Sequence, residues 1–182
     1  MPRLRPALLL LAFALTSATH AAGVVVKRAL AQTPAGREVL TNGDLEKLDG
    51  PLIAAAEFWE KGYVVDGEAR SGKISARCTL TNPKAEGQKG IVCPAQLNQT
   101  HPLPFTAELW SKAREVSGSS DFNYSLYIDL VYTDGTPLWG QVAPFSTGTH
   151  DWEKRTVTVI PEKPVKSVTF IGLFRNHTGT AW

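Results

Sequence analysis

Reactive side chains are scarce in this chain. Its 182 residues hold two cysteines, Cys78 and Cys93, and four histidines, of which His101, His150 and His177 lie beyond the N-terminal leader. No His-Glu-x-x-His, Gly-x-Ser-x-Gly or phosphate-loop pattern occurs, so the spacings used for zinc hydrolysis, acyl transfer and nucleotide binding are missing. His150 falls in the turn-like run Gly148-Thr149-His150-Asp151-Trp152 and reads as a turn residue rather than a base. No other Cys or His stands at metal-ligand spacing from the two thiols. On these grounds the chain is expected not to be an enzyme.

What remains are aromatic and polar residues that core packing does not explain. In Phe122–Tyr132, Phe122, Tyr124, Leu126, Ile128, Leu130 and Tyr132 alternate with Asn123, Ser125, Tyr127, Asp129 and Val131, the period of a half-buried strand. Tyr127 and Asp129 therefore belong to its polar side. Trp139 follows the turn signal Asp134-Gly135, and Gln141, two residues on, shares its face if the chain is extended. Arg175 projects from the polar side of Ser167–Arg175. Trp110 and Trp152 read instead as core residues, because a buried Trp commonly anchors a sandwich.

The elements that must position these residues are strands. Phe58–Val65, Ile74–Leu80, Ile91–Leu97, Phe105–Val116, Thr136–Phe145 and Lys154–Ile160 join the two runs above, giving about eight strands and an all-β sandwich of jelly-roll type. Helical period is weak; its one candidate, Leu45–Glu60, is interrupted by Gly50-Pro51. Gly179-Thr180-Ala181 begins what looks like another strand, so the sandwich is expected to lack its closing strand or to have that edge covered by a neighbour.

Met1–Pro6 carries two arginines and no acid, Ala7–Leu15 is apolar, and Thr16–Ala22 is small and polar, the order of a secretory signal peptide. Residues 1–21 are read as that leader, 22–39 as a linker and 40–182 as the sandwich, in a secreted or periplasmic protein with no membrane insertion. In an oxidising compartment, Cys78 and Cys93, on strand-like runs joined by a turn-rich stretch, are expected to form a cross-strand disulfide; two buried free thiols are the alternative. The formal charge of +2 includes Arg3 and Arg5 of the leader, which leaves a balanced remainder and no electrostatic reason to expect nucleic acid.

Four stretches occur in order: Asn42-Gly43-Asp44-Leu45-Glu46, Ala69-Arg70-Ser71-Gly72-Lys73-Ile74-Ser75, Ala107-Glu108-Leu109-Trp110-Ser111-Lys112-Ala113, and Phe145-Ser146-Thr147-Gly148-Thr149-His150-Asp151-Trp152. Over 40–182 they resemble the galactose-binding-like jelly rolls of carbohydrate-binding modules of families four and nine. The resemblance implies non-catalytic binding of a polysaccharide or oligosaccharide, as the N-terminal part of a larger polysaccharide-processing protein. A spacer or protein-interaction sandwich is the alternative. It further implies that Tyr127 and Trp139 stack on sugar rings while Asp129, Gln141 and Arg175 bond hydroxyls. A structural calcium, with Asp44 and Glu46 among its ligands, is implied as well.

Overall fold

The computed structural model describes residues 37–60, 62–84 and 88–182. The leader, residues 1–21, and most of the 22–39 linker lie outside the described residues. Arg37–Trp182 forms one compact unit, and no helix among the described residues is long and apolar enough to cross a membrane.

Twelve strands follow in order among the described residues: β1 Leu48–Asp49, β2 Leu52–Ile53, β3 Glu57–Glu60, β4 Val64–Asp66, β5 Ser75–Leu80, β6 Gln88–Gln96, β7 Phe105–Val116, β8 Tyr124–Tyr132, β9 Pro137–Pro144, β10 Gly148–Val159, β11 Val165–Phe174 and β12 Gly179–Ala181. They build an all-β sandwich. One five-stranded sheet runs β10-β7-β12-β5-β4, the other β3-β6-β11-β8-β9, and β1 with β2 makes a small hairpin. The helix candidate at Leu45–Glu60 resolves into β1, β2 and β3, while Phe58–Val65 divides between β3 and β4, which belong to different sheets.

Alternation explains the central strand. Tyr124, Leu126, Ile128, Leu130 and Tyr132 of β8 are buried against the facing sheet, whereas Tyr127, Asp129 and Val131 on the other side are half-buried. Phe122 lies ahead of the strand and is 49% exposed, outside the core expected for it. On β11, Val168 and Phe170 sit opposite Leu130 and Ile128 and join the same core. Aromatic contacts tighten it: Tyr124 lies 5.2 Å from Phe145 and 5.4 Å from Phe174, ring centre to ring centre.

Candidate functional site

The outer side of the β8–β9 pair holds most of the residues picked out by pattern. Tyr127 lies opposite Val142, but Ile128 lies opposite Gln141 and Leu130 opposite Leu138, with a bulge between these last two pairs. The extra residue sits at Trp139-Gly140, where Gly140 has φ 71° and its N–H donates to Asp129 Oδ1 at 2.9 Å. A bulge breaks the period of two. Trp139 thus stays outside, 59% exposed, while Gln141 shares the side of Ile128, which corrects the expectation that the two project together. Burial, then the Asp129 charge, raises the Tyr127 pKa, and Arg175 acts in the opposite sense, so these three groups sense one another. Arg175 is also engaged locally, its Nε donating to Asn123 Oδ1 at 3.0 Å.

The carboxylates assigned to calcium, Asp44 and Glu46, accept main-chain N–H groups. Both Glu46 oxygens accept the Lys73 N–H at 3.0 Å, and Oε1 also accepts the Ile74 N–H at 3.2 Å. Asp44 Oδ1 accepts the Glu46 N–H at 3.4 Å. No group of three or more His, Cys, Asp or Glu placed to hold a metal occurs among the described residues. Glu46 holds the Arg70–Lys73 loop to the Asn42–Glu46 turn. In that turn the buried Asn42 donates to Lys47 O and Ala54 O at 3.1 and 3.0 Å.

Cys78 and Cys93 lie on β5 and β6, which belong to opposite sheets and do not pair with each other. A cross-strand bridge is therefore not the geometry present. Both cysteines are free thiols in the structure, and Cys78 Sγ is 3.7 Å from the Gly62 carbonyl oxygen.

Two histidine–carboxylate pairs escaped the sequence reading, because their partners or burial come only from folding. His177 is buried, with Nδ1 2.6 Å from Ser117 O and Nε2 3.1 Å from Asp121 Oδ1. His150 spans Asp151 O and Ser146 O, each at 2.8 Å, and Nε2 lies 3.7 Å from Glu153 Oε2. Burial raises the Asp121 pKa, but hydrogen bonds from the Asn123 N–H and from His177 outweigh it, so the carboxyl titrates below its usual range. Each imidazole has an acceptor on both sides and ties loops together.

A cavity of about 270 Å³ lies beside β7 of the first sheet. Asp44, Arg70, Glu108, Trp110, Trp152 and Trp182 are among its lining residues. Trp110 and Trp152 are half-buried there rather than in the core. The Arg70 guanidinium stacks 3.7 Å from the Trp110 ring centre, and that of Arg114 lies 5.0 Å from Trp182. Lys112, between them along β7, bonds Glu68 at 2.7 Å and Asp151 at 3.5 Å.

The fold and these surfaces define a β-sandwich module with paired arginine–tryptophan contacts on one sheet. No known protein-family description matches the chain. It is similar to the tRNA3(Ser)-specific nuclease WapA of Bacillus spizizenii, 31% identical over 158 residues, which is 81% of this chain and 7% of that protein. It is also similar to the tRNA nuclease WapA of Bacillus subtilis, 30% identical over 137 residues, 72% of this chain and 6% of that protein. The chain thus spans less than a tenth of the length of the curated relatives it matches.

These names correct the expectations drawn from the resemblance. The relatives are called tRNA nucleases and not carbohydrate-binding modules, which overturns non-catalytic sugar binding, a saccharide partner, the exclusion of nucleic acid and the expectation of no enzyme. The reason is visible in the motifs themselves. Asn42, Glu46 and the Lys73 and Ile74 N–H groups bond one another or main chain, so that part of the pattern records how a sandwich is fastened together.

Proposed function

We propose that this chain is one module of a longer, exported protein that cleaves tRNA, and that the outer face of the first sheet turns toward RNA. The observation that carries the reading is the 31% identity over 158 residues to a tRNA-specific nuclease. Because that stretch is 7% of the relative, the cleavage is proposed for the whole protein and the RNA contact for this module. The leader-like residues 1–21 support export.

The arginine–tryptophan pairs support the RNA contact. A guanidinium held over an indole is fixed in place and presents its N–H groups to phosphate. With a formal charge of only +2 over the chain, contact depends on such local pairs and little on net charge.

The test is incubation of the purified parent protein with total tRNA, read on a denaturing gel. Discrete fragments are expected; tRNA that stays intact overturns the reading. In the isolated chain, Arg70→Ala combined with Arg114→Ala should weaken tRNA binding about tenfold, or about 1.4 kcal/mol. Unchanged affinity removes this face from the proposal.

A further inference from the structure

We propose that a cleft at the start of β12, on the outer side of the first sheet, binds one ribose–phosphate unit of an RNA backbone. Thr79 of β5, Thr180 of β12 and Arg114 of β7 are in register across three neighbouring strands. Their chain neighbours Cys78, Leu80, Ala113 and Ala181 are buried in the core, so the three side chains project from the outer side. The cleft has a volume of about 390 Å³, and Thr81, Thr178 and Glu115 line it beside them. It shares no lining residue with the cavity of about 270 Å³.

Glu115 reaches the cleft because β7 carries one residue more than its partner. Ala113 pairs with His150 and Val116 with Gly148, so three steps along β7 match two along β10. The surplus falls at Arg114-Glu115, where Glu115 takes φ 56° and both residues are exposed. The Glu115 N–H is anchored to Thr149 Oγ1 at 2.9 Å. Of the non-glycine residues with positive φ among the described residues, Glu115 alone lies within a strand. A left-handed glutamate inside a ladder is strained, and strain of this kind concentrates where a site needs a side chain re-aimed. Here it sets a cation and a carboxylate side by side at the rim of a row of hydroxyls.

The chemistry of that rim selects the ligand. One row along, Arg77 holds Asp66 and Lys112 holds Glu68, each at 2.7 Å, whereas no carboxylate pairs with Arg114 among the described residues. Its guanidinium is a donor for phosphate. Thr79 and Thr180 Oγ1 lie 3.2 Å apart. With the buried Thr180 donating, the exposed Thr79 keeps its own proton for a ligand oxygen. Glu115 repels a lone anion, so inorganic phosphate does not suit the cleft. A ribose–phosphate unit does, because its 2′-hydroxyl donates to the Glu115 carboxylate while its phosphate meets Arg114 and Thr79. A deoxyribose leaves that carboxylate unpaired beside a phosphate, so the cleft favours RNA over DNA. That the ligand is nucleic acid rests on the reading of this face given above; the bulge and the hydroxyl row do not.

Fluorescence anisotropy with the 182-residue chain and short single-stranded oligonucleotides of one sequence, as RNA and as DNA, tests the proposal. RNA should bind about tenfold tighter than DNA. Glu115→Gly removes the carboxylate and suits φ 56°, which keeps the fold; it should bring the two affinities together, with DNA binding improved. Thr79→Val should weaken both by about fivefold. In amide spectra of the wild-type chain, RNA should shift Thr79, Arg114, Glu115 and Thr180. Equal affinity for RNA and DNA, or an RNA preference that survives Glu115→Gly, overturns the proposal. RNA that binds but shifts amides elsewhere overturns the cleft and leaves the module's RNA contact standing. Absence of any binding overturns both, while tRNA cleavage by the parent protein is read separately on its gel.

Discussion

Cys78 and Cys93 enter the core from opposite sheets, and burial pushes their pKa values from 9.0 up to about 12 and about 11. At pH 8 the thiolate population of Cys78 is then roughly a thousandfold below that of an ordinary thiol. Iodoacetamide should label Cys78 slower in the native protein by about that factor than in the unfolded chain, followed by mass spectrometry; equal rates would show that burial does not protect it. Glu153 gives the pH-dependent case. Burial raises its pKa, but the Ser146 N–H at 2.9 Å, the Ser146 hydroxyl at 3.0 Å and Arg155 outweigh burial, so the folded carboxyl titrates below its usual range. A depressed carboxyl stabilises the fold above the unfolded pKa of about 4.3 and loses that contribution as pH falls through the folded value. Glu153→Gln should therefore cost about 1 kcal/mol at pH 6 and progressively less as the pH falls through the folded carboxyl's range, measured by urea unfolding. An equal cost across that range would assign the effect to shape and not to charge. At this scale the sequence located Tyr127 and Asp129 on the outer side correctly, because their strand is regular. Gln141 was beyond it, because one inserted residue turns every later side chain to the other face.

Among the elements, β7 spans the residues expected and β5, β8, β9 and β11 fall within about two residues of their apolar alternation. Short strands without a full period, β1 to β4, were merged or missed. Gly179 opens β12 at φ 108°, and a Cβ there would fall on the Glu115 carbonyl oxygen, with Glu115 C at 2.7 Å and Arg114 O at 2.8 Å. These are main-chain atoms of β7 that cannot move aside cheaply. Gly179→Ala should cost roughly 2–4 kcal/mol, and thermal unfolding checks it. A change below about 0.5 kcal/mol would mean that β12 is not seated against β7 as described.

For the whole molecule, β12 pairs with β5 so that Thr79 and Thr180 hydroxyls, 101 residues apart, lie 3.2 Å from each other. No local signal announces such a contact, because burial rewards any partner of suitable shape and the hydrophobic effect has no direction. The same limit governed function: Asn42 and Glu46 of the motif-like stretches belong to the fastening of the sandwich, and the link to tRNA nucleases came from similarity along most of the chain. The amino-acid sequence by itself determined that the domain is all-β, where most strands lie and which side of each is apolar, since pleat and period act within a few residues. Only the tertiary structure decided which strands are neighbours, that β5 and β6 carry the two thiols in opposite sheets, and that the indoles of Trp110, Trp152 and Trp182 gather at one cavity. Those outcomes depend on pairings between distant segments, whose free energy exists only once both partners and the core between them are in place.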